Sequence, residues 1–152
     1  RMAEGEGETI DAEPNATMVD APDAAGALIV VIDDELDIRD ALGSLLTRWG
    51  AFVVTAASQQ EALQKLQQEE RLPDLLICDL RLADHTSGID VIANLRRELE
   101  FEVPAILVSG DTAPKRLEEA RAANLQLVHK PLSAQKLSTL LRQTLPPASR
   151  PN

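Results

Sequence analysis

The chain alternates short, continuous apolar runs with longer stretches in which apolar residues recur at every third or fourth position. Continuous runs rich in Val, Ile and Leu are typical of strands covered on both faces of a sheet, whereas the longer spacing is typical of helices with one buried face. The continuous runs predict five strands, at residues 28–32 (LIVVI), 51–55 (AFVVT), 75–78 (LLIC), 103–108 (VPAILV) and 125–128 (LQLV).

Five helical stretches follow these runs, and several carry start or stop signals. The first ends at Gly50, a residue type that terminates helices. Ser58 and Glu61 have the spacing of a capping box and open a second helix that we expect to run through about residue 70. Thr112 and Ser133 are the predicted N-caps of the last two helices. Strands that alternate with helices predict an α/β fold, a doubly wound parallel sheet with right-handed crossovers.

Charge is unevenly distributed along the 152 residues, which hold 25 acidic and 15 basic side chains for a net charge of −10. Seven acids and one base lie in residues 1–26, which leaves 18 acids and 14 bases, a net charge of −4, for the rest. The first segment also lacks apolar periodicity, so we expect residues 1–26 to be an acidic linker or mobile leader. We expect residues 27–145 to form one folded domain and 146–152 to form a Pro-rich tail.

Composition excludes several classes of function. The acidic balance and the aromatic content of 2% argue against a nucleic-acid binder, which needs a basic face or stacking side chains. No apolar run reaches the roughly 18 residues of a membrane span, so we expect no direct membrane contact. The single cysteine, Cys78, cannot form an internal disulfide, and its place in a predicted strand indicates a buried core thiol. A cytoplasmic location fits these features.

Polar side chains stand at the carboxyl ends of four predicted strands: Asp33 and Asp34, Asp79, Ser109 and Lys130. In an open parallel sheet this edge is where ligands bind. Three carboxylates in a small volume repel one another unless a cation neutralises them, and oxygen ligands favour Mg²⁺ or the similar Mn²⁺. A lysine and a hydroxyl beside such a metal would cradle a phosphoryl group. Asp79 is then the natural nucleophile, because carboxylates can form acyl phosphates.

At these positions the chain resembles a known family, the receiver domain of two-component response regulators. The resemblance covers residues 27–145 and rests on four motifs at strand ends, VVIDDE, LLICDLRL, ILVSGD and LVHKP. It implies a flavodoxin-like fold with strand order 2-1-3-4-5 and five helices. It also implies that a histidine kinase or phosphotransfer domain supplies the phosphoryl group from a phosphohistidine, with a small acyl phosphate as another donor.

The resemblance assigns roles to the acidic residues. It implies that Asp79 is the phosphoacceptor and that Asp33 and Asp34 bind the metal, with Asp34 as the more direct ligand. The backbone carbonyl of Arg81 is implied as a further metal ligand.

The same resemblance covers the last two strand ends, where the chain also departs from the family. Ser109 is implied to contact the phosphoryl group through its hydroxyl, and Lys130 to contact it through its ammonium. The peptide bond between Lys130 and Pro131 is implied to be cis. Leu127 stands where receivers usually carry the Tyr or Phe that moves inward on activation, so the usual activation switch is in question.

The loop after the phosphoacceptor departs as well. Ala83 stands where receivers usually have proline, and Gly88 comes nine residues after Asp79 instead of the usual eight. Arg81 and Asp111 occupy the two positions that flank the path of water to the acyl phosphate in receivers. A salt bridge between them would screen the phosphoryl group and slow its loss, although a weak surface pair explains the same charges.

The stretches DLRLADHTSGIDVI and SGDTAPKRL most resemble the C-terminal receivers of hybrid sensor histidine kinases. An acidic leader before the domain and no DNA-binding domain after it agree with that context. The domain would then not be a turnover enzyme by itself, although it would promote its own phosphorylation, and it could form a weak dimer. Two alternatives stay open: a stand-alone or pseudo-receiver that acts as an interaction module, and a phosphatase with an aspartate nucleophile. Such phosphatases typically have a second Asp where this chain has Arg81.

Overall fold

The computed structural model describes residues 24–110 and 114–145. Within these ranges the large sheet has five parallel strands in the order β2-β1-β3-β4-β5. The strands are β1 (Leu28–Ile32), β2 (Phe52–Ala56), β3 (Leu75–Asp79), β4 (Ala105–Ser109) and β5 (Gln126–His129). The α-helices of the same ranges are α1 (Leu36–Arg48), α2 (Gln59–Leu66), α3 (Gly88–Leu99), α4 (Pro114–Ala122) and α5 (Ala134–Thr144). The predicted fold class and strand order are therefore confirmed.

Two hydrophobic cores cover the two faces of the sheet. Alternate residues of a strand point to opposite faces, so Ile29 and Val31 of β1 pack on one side and Val30 and Ile32 on the other. Helices α1 and α5 cover the first face, and α2, α3 and α4 cover the second. All five residues of β1 are buried, which explains why this strand has a continuous apolar run.

Some element ends differ from those predicted. Helix α2 ends at Leu66 instead of near residue 70, because the residues directly after Leu66 are polar and exposed and have nothing to pack against. Strand β4 begins at Ala105 instead of Val103, because Pro104 has no N–H to donate to a neighbouring strand. The predicted N-cap Ser133 does accept a hydrogen bond from the Lys136 N–H, at 3.1 Å. Thr112, the other predicted cap, lies outside the described residues.

The folded part of the chain begins before residue 27. Ala24 is fully buried against the core shared by α1 and α5. The Gly26 N–H donates to the Gly50 carbonyl at 3.0 Å, and both glycines have a positive φ, of 83° and 94°. The rest of the predicted leader, residues 1–23, and the predicted tail, residues 146–152, lie outside the described residues, so both assignments stay predictions.

Candidate functional site

The strand-end residues that the sequence singled out meet at the carboxyl edge of the sheet. Asp33 and Asp34 follow β1, Asp79 is the last residue of β3, Ser109 ends β4, and Lys130 follows β5. One carboxylate oxygen from each of the three aspartates lies within 4.8 Å of the others. Asp33 and Asp79 are buried, whereas Asp34 is exposed. The structure thus forms a compact acidic cluster with one solvent-facing member.

Lys130 neutralises part of this cluster. Its Nζ lies 3.2 Å from an oxygen of Asp79 and 3.2 Å from an oxygen of Asp33. Glu35, a largely exposed side chain, lies 3.9 Å from the same Nζ. The backbone N–H of Lys130 donates to the Ser109 carbonyl at 2.8 Å, which ties the end of β5 to the end of β4. The peptide bond that follows Lys130 is cis.

The ionisation of Asp79 reflects a balance of opposing effects. Burial raises the pKa of the Asp79 carboxyl, and the neighbouring Asp33 charge raises it further. The Lys130 ammonium and the Arg81 backbone N–H oppose this rise without cancelling it. Burial would lower the pKa of Lys130, but Asp79 and Asp33 together raise that pKa, so the ammonium stays charged. The Asp79 carboxyl therefore ionises less readily than an exposed one, whereas the neighbouring Lys130 stays protonated.

The buried carboxylates are held by backbone groups. The Glu35 N–H donates to Asp33 Oδ1 at 2.9 Å, and the Arg81 N–H donates to Asp79 Oδ1 at 3.3 Å. The Asp33 backbone N–H donates to the Ala56 carbonyl at 3.0 Å, which extends the pairing of β1 with β2. These contacts fix the carboxylates in place before any ligand binds.

The donor set of the cluster suits a hard divalent cation. All three members offer carboxylate oxygens, which Mg²⁺ and Mn²⁺ prefer, and the exposed Asp34 leaves access from solvent. The three oxygens, all within 4.8 Å of one another, are grouped as the ligands of one ion would be. The residues therefore fit the metal that the acidic strand ends predict.

The loop after Asp79 forms a small hairpin where the sequence predicted only a polar loop. Arg81–Leu82 pairs with Thr86–Ser87 in antiparallel fashion around a 3₁₀ turn at Ala83–His85. Asp84 and His85 have positive φ values of 61° and 59°, which non-glycine residues seldom adopt. The extra residue between Asp79 and Gly88 is accommodated within this hairpin.

Gly88 packs directly against the backbone of Asp79. A Cβ atom at this position would lie 2.2 Å from the Asp79 carbonyl oxygen and 3.0 Å from Leu107. The Gly88 N–H donates to the Leu80 carbonyl at 2.7 Å. No other residue type fits without a shift of the strand end, so Gly88 helps to place Asp79.

Three further predicted positions have different outcomes. Arg81 is exposed beside Asp79, but Asp111 lies outside the described residues, so the salt bridge between them stays a prediction. Leu127 is half-buried, is in register with Leu107 of β4, and packs against the core shared by α2, α3 and α4.

Cys78 is a structural thiol. Its side chain is fully buried in β3, and its Sγ–H donates to the Asp79 carbonyl at 3.4 Å. Burial, followed by the charges of Asp79 and Asp33, raises the pKa of the Cys78 thiol far above its ordinary value. A neutral buried thiol of this kind is unreactive.

Two residues of the site, Glu35 and Arg39, were not predicted from the sequence. Glu35 directly follows the acidic pair, and its position in the VVIDDE motif was the available signal. Arg39 Nη1 donates to the Asp33 carbonyl at 2.8 Å from the first turn of α1. The sequence indicated this contact only through the spacing between Arg39 and the acidic pair, because side chains of a helix tilt back toward its N-terminus.

Helices long and apolar enough to cross a membrane are not found in residues 24–110 and 114–145.

Comparisons with known proteins agree with this geometry. A family model described as response regulator receiver domain matches residues 29–142. The chain is 31% identical over 117 residues to a probable transcriptional regulator, ycf27, of Guillardia theta, a match that covers 77% of this chain and 44% of that protein. It is 30% identical over 126 residues to the phyllosphere-induced regulator PhyR of Methylorubrum extorquens, covering 82% of this chain and 45% of that protein. The chain thus spans less than half the length of these two curated relatives.

Solved structures give the same result. The chemotaxis protein CheY4 of Vibrio cholerae superposes with a TM-score of 0.70 at 26% identity, covering 80% of this chain and 100% of that one.

Proposed function

The chain belongs to the response regulator receiver domain family, and from this premise we propose that Asp79 accepts a phosphoryl group from the phosphohistidine of a histidine kinase or phosphotransfer domain. The observation that carries the proposal is the Lys130 ammonium, 3.2 Å from both Asp79 and Asp33. Positive charge held in advance beside a nucleophile stabilises the charge that develops during transfer. The arrangement therefore suits phosphoryl transfer to a carboxylate.

In the proposed step a carboxylate oxygen of Asp79 attacks phosphorus. A P–O bond forms while the P–N bond to the donor imidazole breaks, and the imidazole keeps that electron pair and takes up a proton. The product is an acyl phosphate on Asp79. Attack requires the ionised carboxylate, and Lys130 favours that form against the effect of burial.

Three groups would assist the transfer. Lys130 would leave its ion pair with Asp79 and contact the phosphoryl oxygens. Ser109, buried at the end of β4, would offer its hydroxyl to the same group. Asp33, Asp34 and Asp79, with the Arg81 carbonyl, would hold Mg²⁺ or Mn²⁺, which would supply further positive charge.

The test of the acceptor is phosphorylation with acetyl phosphate and Mg²⁺, followed by intact-mass analysis. We expect wild type to gain one phosphoryl group and Asp79→Asn to gain none. Asp90→Asn, which alters an exposed aspartate in the first turn of α3, is the matched control and should react as wild type does. A phosphoryl group on the Asp79→Asn protein would overturn the assignment.

We also propose that the Arg81 and Asp111 side chains prolong the life of the acyl phosphate by shielding it from water. The exposed position of Arg81 next to Asp79 supports this role. Phosphorylated wild type, Arg81→Ala and Asp111→Ala would be followed in excess Mg²⁺. Both variants should lose phosphate faster, and unchanged decay in both would show that the charges do not screen the site.

The wider context that we propose is the C-terminal receiver of a hybrid sensor histidine kinase, in the cytoplasm and without nucleic-acid contacts of its own. The resemblance of the stretches that begin at Asp79 and Ser109 supports it. The names of the curated relatives favour a second context, the receiver of a regulator with a separate effector domain. The coding sequence on both sides of the chain separates the two, since a kinase core upstream of Arg1 supports only the first. In either context Leu127 implies activation without an inward-moving aromatic ring.

A further inference from the structure

The turn between β1 and α1 contains the acidic pair, and its backbone is braced by Arg39. Arg39 Nη1 donates to the Asp33 carbonyl at 2.8 Å. The Arg39 backbone N–H donates to the Glu35 carbonyl at 3.1 Å, in the first turn of α1. One half-buried residue thus bonds to both ends of the three-residue acidic turn.

The contact bears directly on Asp34. The Asp33 carbonyl and the Asp34 N–H belong to one planar peptide group. A hydrogen bond that holds the carbonyl therefore also holds the orientation of the peptide plane that leads into Asp34. Within residues 24–110 and 114–145, the Asp34 carboxylate makes no hydrogen bond or ion pair that would hold it directly. The direction of its side chain therefore depends on the backbone of the turn.

We infer that Arg39 is a positioning residue for the metal site, which orients the Asp33–Asp34 peptide so that the exposed Asp34 carboxylate converges with Asp33 and Asp79. The inference rests on the proposed metal site. It differs from the role of Lys130, because Lys130 contacts carboxylate oxygens and Arg39 contacts a carbonyl. Arg39 can therefore stay in place when a cation enters, whereas Lys130 must share its partners.

Positioning and charge make opposite predictions for a variant of Arg39. Loss of a positive charge near the acids would by itself tighten the binding of a divalent cation. Loss of the brace would weaken binding, because the ligands would have to be ordered when the ion binds. The sign of the change in affinity thus separates the two effects.

The experiment titrates Mg²⁺ into metal-free protein by calorimetry and follows the Asp34 amide signal by NMR. We expect Arg39→Met to bind Mg²⁺ about tenfold more weakly, the lower end of the effect of removing a group that orients metal ligands. Arg39→Lys keeps the charge but replaces the planar guanidinium with a single ammonium nitrogen on a more flexible stem, so its Mg²⁺ affinity should lie between those of Arg39→Met and wild type. The Asp34 amide should shift in both variants before any metal is added.

Arg48→Met is the matched control, since it removes the same charge from the exposed last turn of the same helix. It should leave Mg²⁺ affinity within about twofold of wild type, because an exposed charge at the far end of the helix is screened by salt. If Arg39→Met does not fold, Arg39→Lys decides: weaker binding supports the brace and unchanged binding rejects it. Equal or tighter binding by folded Arg39→Met also rejects it. Absence of Mg²⁺ binding by wild type would instead remove the proposed metal site itself.

Discussion

The charge of Asp79 should destabilise the metal-free domain, so that Asp79→Asn is more stable than wild type at neutral pH. The nearest oxygens of Asp79 and Asp33 are at most 4.8 Å apart, a repulsion of at least about 3.5 kcal/mol at an effective dielectric constant near 20. Attraction to the Lys130 ammonium at 3.2 Å stabilises the Asp79 carboxylate by about 5 kcal/mol at the same dielectric constant. The attraction to Lys130 thus exceeds the repulsion from Asp33 by only a small amount, which has to offset the free-energy cost of burying the carboxylate. The raised pKa of Asp79 indicates that this cost is the larger effect. Replacing the charge by a neutral amide should therefore stabilise the fold by about 1 kcal/mol.

The dependence on pH follows from the direction of that shift. A carboxyl whose pKa is raised by folding contributes stability that is fully present below its unfolded pKa, about 3.9, and is lost as the pH rises through the folded pKa. The advantage of Asp79→Asn should thus be smallest near pH 4 and grow toward pH 7. Urea unfolding in the presence of a chelator would measure it, with the fluorescence of Trp49, the single tryptophan, as the probe.

Asp40→Asn is the control, because it removes one negative charge from an exposed position on α1. It should change the free energy of unfolding by less than about 0.5 kcal/mol, with little dependence on pH. A destabilising Asp79 charge is refuted if Asp79→Asn is less stable than wild type at pH 7, or if its gain in the free energy of unfolding is the same at pH 4 and pH 7.

Two further predictions concern the scaffold around the site. Gly88→Ala would place a Cβ 2.2 Å from the Asp79 carbonyl oxygen and should lower the free energy of unfolding by about 1–3 kcal/mol. Gly43→Ala, in the interior of α1, would place its Cβ 3.4 Å from the Thr55 side chain of β2 and should raise the free energy of unfolding by up to about 1 kcal/mol. Urea unfolding of both variants checks this, and an equally stable Gly88→Ala protein would contradict the close approach. Asp74→Ala leaves the buried Leu28 N–H without its acceptor at 2.8 Å and should cost about 1–3 kcal/mol in the same assay. Asp74→Asn keeps an acceptor oxygen and should retain most of that stability, so equal losses in the two Asp74 variants would count against the hydrogen bond.

The sequence predicted those parts of the site that depend only on sheet topology. Continuous apolar runs mark buried strands, and parallel strands bring their carboxyl ends to one edge. Asp33, Asp79, Ser109 and Lys130 could therefore be assembled from their order in the chain alone. Asp33, Asp79 and Ser109 are also buried, because each lies at or next to the end of a fully or largely buried strand.

Other features depend on contacts that no periodicity encodes. The hairpin at 81–87 is made of two-residue strands in which only Leu82 is apolar and buried, too short to show an alternating pattern. The Arg39 contact is made between a side chain and a carbonyl, and it exists only because α1 begins at Leu36 and directs the guanidinium back over its own first turn. Helix α2 ends early because the residues after Leu66 have no packing partners. The capping box at Ser58 and Glu61 predicts where the helix begins but not where it ends.

Metal binding and folding stability should be linked in this domain. Three carboxylates, those of Asp33, Glu35 and Asp79, lie within 3.9 Å of the Lys130 ammonium, and Asp34 clusters with two of them. This edge of the sheet therefore has an excess of negative charge, and backbone hydrogen bonds hold the Asp33 and Asp79 carboxylates in place. A cation that binds only the folded chain adds stability of RT ln(1 + [L]/Kd), about 2.7 kcal/mol at one hundred times Kd. Because Asp79 contributes both a ligand and the destabilising charge, Mg²⁺ should stabilise wild type far more than Asp79→Asn. The stability difference between the two proteins should therefore narrow or reverse as Mg²⁺ is added, because the charge that Asp79→Asn removes is the one that the metal requires.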